Sequence, residues 1–239
     1  MKKLIFVLAA MLTLASCGII DMRGVRGNGN VVSRTYNDNN FTELYVGGAI
    51  QATIVQGNDF SIKLEAESNI LDNISVRVSG GRLIIENKNG VGLSPTKPIR
   101  AYISAPQYKY LEASGASNIS STGKINGADE VRMNTSGASH INVDIDANKL
   151  SLDISGASGA TLTGTAKQFS LDVSGASSFH GFGLLTEQTT VTAAGASGAD
   201  INATQTLNAD ASGASTVSYK GKPQVSSNAS GASAVKSAD

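Results

Sequence analysis

The chain has 239 residues, with 19 basic and 19 acidic side chains and a formal net charge of zero. Charged residues make up 16% of the chain, against about 25% in ordinary soluble domains, whereas its 26 glycines exceed the usual share of about 7%. No excess of positive charge is present to hold a nucleic-acid backbone, so we expect no nucleic-acid partner. The high glycine content favours tightly turning β structure over helices.

The N-terminus has the features of a secretory signal. A positive start at Lys2 and Lys3 precedes an uncharged apolar run over residues 4–14, which is shorter than the roughly 20 residues of a membrane-spanning helix. We therefore predict a signal peptide over residues 1–16. Its removal would leave 17 basic and 19 acidic residues, a net charge of −2.

The signal ends in Leu-Ala-Ser-Cys-Gly, which resembles the lipobox of bacterial lipoproteins, where the cysteine is acylated. Cys17 is the only cysteine in the chain, so no internal disulfide is expected. We predict lipid attachment at Cys17, followed by a lipidated tether over residues 17–30 that is rich in glycine and asparagine. Gly18 follows the cysteine, which favours the outer membrane over the inner one by resemblance to enterobacterial lipoproteins.

A tetrapeptide repeat dominates the second half of the chain. Ser-Gly-Ala-Ser occurs seven times, with Ala194 replacing the first serine in one copy, and the intervals between its glycines are 22, 19, 19, 20, 18 and 18 residues. We predict that these glycines form the structural corners of the repeat; they are Gly115, Gly137, Gly156, Gly175, Gly195, Gly213 and Gly231.

Apolar and polar residues alternate around each repeat glycine, as expected for strands. The apolar residues stand two and four positions before the glycine, as at Ile154 and Leu152, with a polar residue such as Asp153 between them. At about 3.3 Å per residue, a 19-residue unit traces a single coil, and it is too short for a βαβ unit or a propeller blade. The pattern therefore predicts an all-β fold, a right-handed parallel β-helix (solenoid) of about 19-residue coils, with residues 109–239 as its regular part.

Each residue type in the tetrapeptide suggests a role at the corner. Glycine permits a backbone shape that other residues resist, we expect the alanine to fill an inward corner, and the serines can bond unpaired backbone groups. The apolar residues shrink along the chain, from Leu152 and Leu171 to Ala209, so the last coil should have the thinnest core.

Residues 31–108 are less regular, and we predict an irregular β-meander that belongs to the solenoid. Leu-Tyr-Val-Gly-Gly-Ala at 44–49 is a degenerate eighth copy. Two hairpins are predicted, one pairing 51–56 with 60–67 and one pairing 74–78 with 82–86, ahead of a strand at 99–105. This meander could cap one end of the solenoid.

No catalytic residue, cofactor or metal site is predicted. His140 and His180 stand at different distances from their repeat glycines, and neither has an obvious acid and nucleophile partner. Asp153 and Asp172 are adjacent carboxylates, which could hold calcium as in β-helices resembling the pectate lyases, but a solvated outer face is the favoured interpretation.

Tyrosines are concentrated in the first half, so a ligand surface with stacking groups would lie there. Half-buried strand positions are the simpler explanation for them. The tyrosines concerned are Tyr36, Tyr45, Tyr102, Tyr108 and Tyr110.

Together, the lipobox, the degenerate copy at 44–49 and the seven tetrapeptides resemble the head GIN domain (putative auto-transporter adhesin) family, which is common in Bacteroidetes lipoproteins. The resemblance spans about residues 30 to 235. It implies a right-handed parallel β-helix and an adhesin role, and it supplies no catalytic residue.

These features predict a non-enzymatic envelope protein, anchored to the membrane through lipidated Cys17. Its solenoid flank would bind another envelope or host macromolecule. Two alternatives stay open at this point: a β-helix protein that binds or cleaves carbohydrate in a lyase-like way, and a structural or signalling accessory of the cell envelope.

Overall fold

The computed structural model describes residues 24–239. The predicted signal peptide, Cys17 and the start of the tether lie outside these residues. Within the described part of the chain, no helix has the length and apolar character needed to cross a membrane.

The described chain is built almost entirely of β-strands, with one short helix, α1 (Ser68–Leu71). The strands of the first half are β1 (Val25–Arg26), β2 (Val31–Tyr36), β3 (Glu43–Val46), β4 (Ile50–Gln56), β5 (Ser61–Glu67), β6 (Ile74–Ser79), β7 (Arg82–Asn87), β8 (Leu93–Ser94) and β9 (Ile99–Ala105). The strands of the repeat half are β10 (Tyr110–Ala113), β11 (Asn118–Ile125), β12 (Glu130–Thr135), β13 (His140–Ile154), β14 (Gly159–Val173), β15 (Ser178–Ala193), β16 (Gly198–Ala211), β17 (Thr216–Lys220), β18 (Gln224–Ala229) and β19 (Ala234–Ser237).

Successive coils stack in parallel and form two faces, each running along the solenoid. Face 1 consists of β7 and of the strands that precede the glycine corners: β3, β10, β12, the second halves of β13 to β16, and β18. Face 2 consists of β9 and of the strands that follow the corners: β4, β11, the first halves of β13 to β16, β17 and β19. Asp153 pairs with Asp172 in register, and the Ala176 amide donates to the Gly156 carbonyl at 2.8 Å. The predicted solenoid, with one coil per repeat, is confirmed.

The core lies between the two faces and narrows towards the C-terminal coil. Leu152, Leu171, Val191 and Ala209 share one buried row of face 1. In the last coil all of β18 is exposed, as predicted from the shrinking side chains.

The repeat glycines have a conformation that other residues adopt only under strain. All seven have φ between +75° and +81°, in the left-handed region. At Gly175 the backbone of the preceding coil is also very close, since an added Cβ would lie 2.5 Å from the Gly156 carbonyl oxygen. Both the dihedral angle and the close approach of the coils therefore require glycine.

The expected orientation of the alanine is wrong. Ala157 and Ala176 are exposed, whereas the serines that follow them, Ser158 and Ser177, are buried. The reason is that the two-residue alternation continues through the corner. The residues two before and two after the glycine therefore point inward, and the alanine directly after the glycine points outward.

Most of the buried serines fill the role predicted for them; the exception is Ser139, whose buried Oγ has no hydrogen-bond partner among residues 24–239. Ser177 Oγ donates to the Gly156 carbonyl at 3.2 Å, and Ser215 Oγ donates to the Ala193 carbonyl at 3.2 Å. Each hydroxyl thus meets a backbone group of the preceding coil, which removes the cost of burying it unpaired.

The degenerate copy at 44–49 is confirmed as an eighth rung. β3 stacks in parallel on β10, with Leu44 opposite Leu111 and Val46 opposite Ala113. The 63 residues between these two strands form the insertion, whose strands β7 and β9 extend the two faces.

One predicted hairpin is confirmed and the other is wrong. β6 and β7 pair antiparallel across Gly80 and Gly81, both of which have positive φ. β4 and β5 do not form the other hairpin, because β9 lies between them: Ile103 pairs with Ile54 of β4 on one side and with Ile62 of β5 on the other. β2 then adds antiparallel to β5. The antiparallel strands β2, β5 and β6 thus close the N-terminal end of the solenoid, as expected of a cap.

Candidate ligand-binding face

The tyrosines of the first half do not share one surface. Tyr108 is fully buried and donates to the Ile103 carbonyl at 3.2 Å. Tyr36, Tyr45 and Tyr110 are half-buried, the latter two on face 1. Tyr102, on face 2, is exposed, with 39% of its surface accessible. Burial therefore explains all of them except Tyr102: Tyr36, Tyr45 and Tyr110 are half-buried on strands, and Tyr108 is buried in the segment between β9 and β10.

The face 1 tyrosines are engaged by neighbouring side chains. The Arg82 guanidinium lies 4.6 Å from the centre of the Tyr110 ring and pairs with Glu43 at 2.9 Å and with Glu112 at 3.3 Å. Burial, reinforced by Glu112, raises the pKa of Tyr110 to about 12. The Tyr45 hydroxyl lies 2.7 Å from Ser114 Oγ. These contacts leave little of either ring for a ligand.

Tyr102 belongs to a lattice of polar side chains on face 2. One row runs across four adjacent strands through Arg100, Gln51, Asn118 and His140. The next row runs through Tyr102, Thr53, Ser120 and Asn142. Together they line a shallow depression of about 460 Å³. At about 4.8 Å per strand, each row is about 14 Å long.

Arg100 supplies the positive charge of this depression. Its register neighbour Glu65 bonds to Lys63, with Nζ and Oε1 2.6 Å apart. This bond is the main cause of a lowered pKa of the Glu65 carboxyl, and a hydrogen bond with Tyr102 and the nearby charge of Arg100 lower it further. Lys63 Nζ also lies 5.5 Å from the centre of the Tyr102 ring. Arg100 itself is exposed and has no ion pair within 4.0 Å among residues 24–239. Its guanidinium is therefore available to an anionic group.

His140 forms the far end of the first row. Its ring fits over Gly159, where an added Cβ would lie 2.8 Å from Nδ1, and its Nε2 lies 3.2 Å from Thr161 Oγ1. Burial lowers the pKa of His140, helped by the charge of His180. The ring is therefore neutral at neutral pH and can act as both donor and acceptor.

The structure gives His180 an acidic partner that the sequence interpretation missed. His180 Nδ1 lies 3.2 Å from Asp200 Oδ2, and both residues stand five positions after a repeat glycine. Because equivalent positions of successive repeats lie side by side, this shared position could have predicted the contact from the sequence. Within the described part of the chain no hydroxyl is hydrogen-bonded to the His180 ring, so the pair does not form a Ser-His-Asp arrangement.

The aspartate pair of face 1 is solvated. Asp153 and Asp172 are neighbours in register and both are exposed. Partial burial and the charge of Asp172 raise the pKa of the Asp153 carboxyl. Among residues 24–239, no three His, Cys, Asp or Glu side chains come close enough together to hold a metal ion.

A second depression, of about 540 Å³, lies where the coils bend from face 2 to face 1. Its floor includes Ala147 and Ala166, and part of its polar rim is already paired. Asp146 bonds to Lys124 at 3.0 Å and to Thr165 at 2.8 Å. It contains no aromatic ring, so the depression on face 2 is the better candidate for a ligand.

The family model for the head GIN domain, described as a putative auto-transporter adhesin, matches residues 40–223. The chain belongs to the head GIN domain family. No curated protein matches it.

Solved structures share this fold along nearly the whole head GIN chain. A putative adhesin from Bacteroides fragilis superimposes with a TM-score of 0.84 at 18% identity, covering 90% of this chain and 100% of its own. A putative adhesin from Parabacteroides distasonis has a TM-score of 0.74 at 20% identity, covering 90% and 99%. A putative lipid binding protein from the same species has a TM-score of 0.76 at 20% identity, covering 91% and 100%. At these identities the likeness establishes the fold.

Proposed function

We propose that this head GIN protein is a non-enzymatic, lipid-anchored adhesin of the cell envelope that binds a macromolecule through face 2. The observation that carries the proposal is the depression in which exposed Tyr102 adjoins ladders of amide and hydroxyl groups, beside Arg100, which has no ion pair with any of residues 24–239. Family membership supports an adhesin role, and the lipobox at Cys17 supports the anchor.

Face 2 suits an extended ligand. Its outward side chains project from hydrogen-bonded strands, so their spacing is fixed before the ligand arrives and little ordering cost remains. A polymer lying along the solenoid would meet a new polar pair at each of the four strands β9, β4, β11 and β13, about every 4.8 Å. Many weak contacts then add to a useful avidity.

The N-terminal segment is fixed to the capped end of the solenoid. The buried Glu67 carboxylate accepts hydrogen bonds from the Gly29 amide at 2.6 Å and from the Thr96 amide and hydroxyl at 2.8 and 2.6 Å. β1 also pairs with β8. Six residues lie between Cys17 and Gly24, so the seven steps from one to the other extend over at most about 25 Å. A lipid on Cys17 would therefore keep the capped end close to the membrane.

Binding by face 2 is tested with beads that carry the purified protein, applied to an array of immobilised polysaccharides and glycoproteins. A variant with Tyr102→Ala and Asn142→Ala should bind the array at least about tenfold more weakly than the wild type. The matched control changes two polar residues of face 1, Thr190→Ala and Asn208→Ala, and should bind as the wild type does. Equal binding by all three proteins would reject face 2 as the ligand surface.

The anchor is tested separately. Cys17→Ala should move the protein from the membrane fraction to the soluble fraction while leaving array binding unchanged. Continued membrane attachment of this variant would reject lipidation at Cys17.

A further inference from the structure

We infer that the ligand of face 2 is a carboxylated saccharide, with its carboxylate on Arg100 and a sugar ring on Tyr102. This inference rests on the proposed function of face 2 and adds the chemical class of the ligand.

Arg100 has the chemistry of a carboxylate receptor. Its planar guanidinium presents a fork of donors that fits the two oxygens of a carboxylate. The one carboxylate beside it in register, that of Glu65, is taken by Lys63 at 2.6 Å. On the other side its register neighbour is the neutral Gln51. An incoming carboxylate would therefore meet an exposed cation without first displacing an ion pair of the described chain.

Tyr102 supplies a stacking surface at the right place. It stands two residues after Arg100 on the same strand, so both side chains leave the same face about 6.6 Å apart. A sugar ring lying on the tyrosine would direct its carboxylate towards the guanidinium. Tyrosine offers an apolar ring for the sugar and a hydroxyl for a hydrogen bond.

The surrounding side chains favour a saccharide over a lipid, a phosphate-rich ligand or a protein strand. Gln51, Asn118 and Asn142 each offer amide donors and an acceptor, which match sugar hydroxyls. The residues on the surface of the depression are mostly polar, so an acyl chain finds no apolar groove. A single guanidinium is a weak attraction for polyphosphate. The strands beneath are paired on both sides, so a peptide cannot add to their edges.

The test uses uronic-acid and sialic-acid oligosaccharides beside their methyl esters, which keep the sugar and remove the charge. The affinity of the full-length protein for each is measured by isothermal titration calorimetry. The acid should bind at least about tenfold more tightly than its ester, the difference expected from losing one charge-assisted hydrogen bond. Arg100→Ala should lower acid binding to the level of the ester and leave ester binding unchanged. Tyr102→Ala should weaken both.

Arg132→Ala is the matched control, because Arg132 is an exposed arginine on face 1. It should bind as the wild type does, and the melting temperatures of all variants should agree with the wild type. Acids that bind no better than their esters, or an equal loss in Arg132→Ala, would overturn the acidic ligand. If neutral polysaccharides on the array still depended on face 2, the proposed function would stand and this inference alone would fail. If no array ligand depended on face 2, both would fail.

Discussion

Replacing Gly175 with alanine tests the close stacking of the corners. The glycine has φ +79°, and the new methyl group would lie 2.5 Å from the Gly156 carbonyl oxygen and 3.1 Å from the Gly156 nitrogen. The left-handed conformation costs an alanine about 1–2 kcal/mol. Relieving an overlap in packed structure costs about 1–3 kcal/mol more. We therefore expect Gly175→Ala to lower the free energy of unfolding by about 2–5 kcal/mol.

Gly123 separates these two contributions. It has the same φ of +79°, but no heavy atom outside its chain neighbours lies within 4 Å of an added Cβ. Gly123→Ala should therefore cost only the dihedral part, about 1–2 kcal/mol. Both variants are compared with the wild type by urea unfolding followed by circular dichroism. If the two substitutions prove equally destabilising, the stacked glycines are not in the tight contact described here.

Four further substitutions test the core, the corner residues and the N-terminal cap. Phe169→Ala should lower the free energy of unfolding by about 3–5 kcal/mol in urea, because the ring is buried and packs 5.3 Å from that of Phe179. Ser177→Ala removes a buried donor and should lower the free energy of unfolding by about 0.5–1.5 kcal/mol. The neighbouring residue is exposed, so the free energy of unfolding of Ala176→Ser, measured by thermal unfolding, should stay within about 0.5 kcal/mol of the wild-type value. Hydrogen bonds to its carboxylate, of which the one from the Thr96 side chain has the largest effect, lower the pKa of Glu67 from 4.5 to about 2. Its ionised form therefore stabilises the fold fully above pH 4.5, and this stabilisation is lost as the pH falls from 4.5 towards 2. Glu67→Gln should reduce the difference in unfolding midpoint between pH 6 and pH 3.

Each of these predictions has a contrary outcome. A small effect of Phe169→Ala would mean that the two rings do not fill a shared core. Equal losses in Ser177→Ala and Ala176→Ser would mean that the serine is not the inward residue. An unchanged pH dependence in Glu67→Gln would assign the acid sensitivity to other carboxyl groups.

The repeat half of the fold could be predicted in detail because every coil contains the same tetrapeptide, which fixes the alignment of one coil with the next. Once Gly156 and Gly175 are aligned, the pairing of Leu152 with Leu171 follows by counting. The same counting finds the His180 and Asp200 pair. The direction of Ala176 could also have been found, since it depends only on continuing the alternation across the corner.

The first half could not be predicted to the same depth. Alternation shows which side of a strand is buried but not which strand lies beside it, so the insertion of β9 between β4 and β5 was not foreseen. Face 2 reflects this limit. Gln51, Asn118 and His140 all stand three residues after a corner glycine, whereas Arg100 follows no such glycine. Its place at the end of that row became known only from the structure.

The uniform corners make the coil a modular unit of length. Excising the 19 residues from Ala157 to Gly175 would join Gly156 directly to Ala176 and restore the same tetrapeptide. In each remaining coil the alanine amide would still donate a hydrogen bond to the glycine carbonyl of the preceding coil. The solenoid would be shorter by one strand spacing, about 4.8 Å, with both flanks still continuous. Duplication of the same segment would lengthen it by the same step, so the reach of such a protein from its attachment point can evolve in whole coils while the cap and its neighbouring strands stay unchanged.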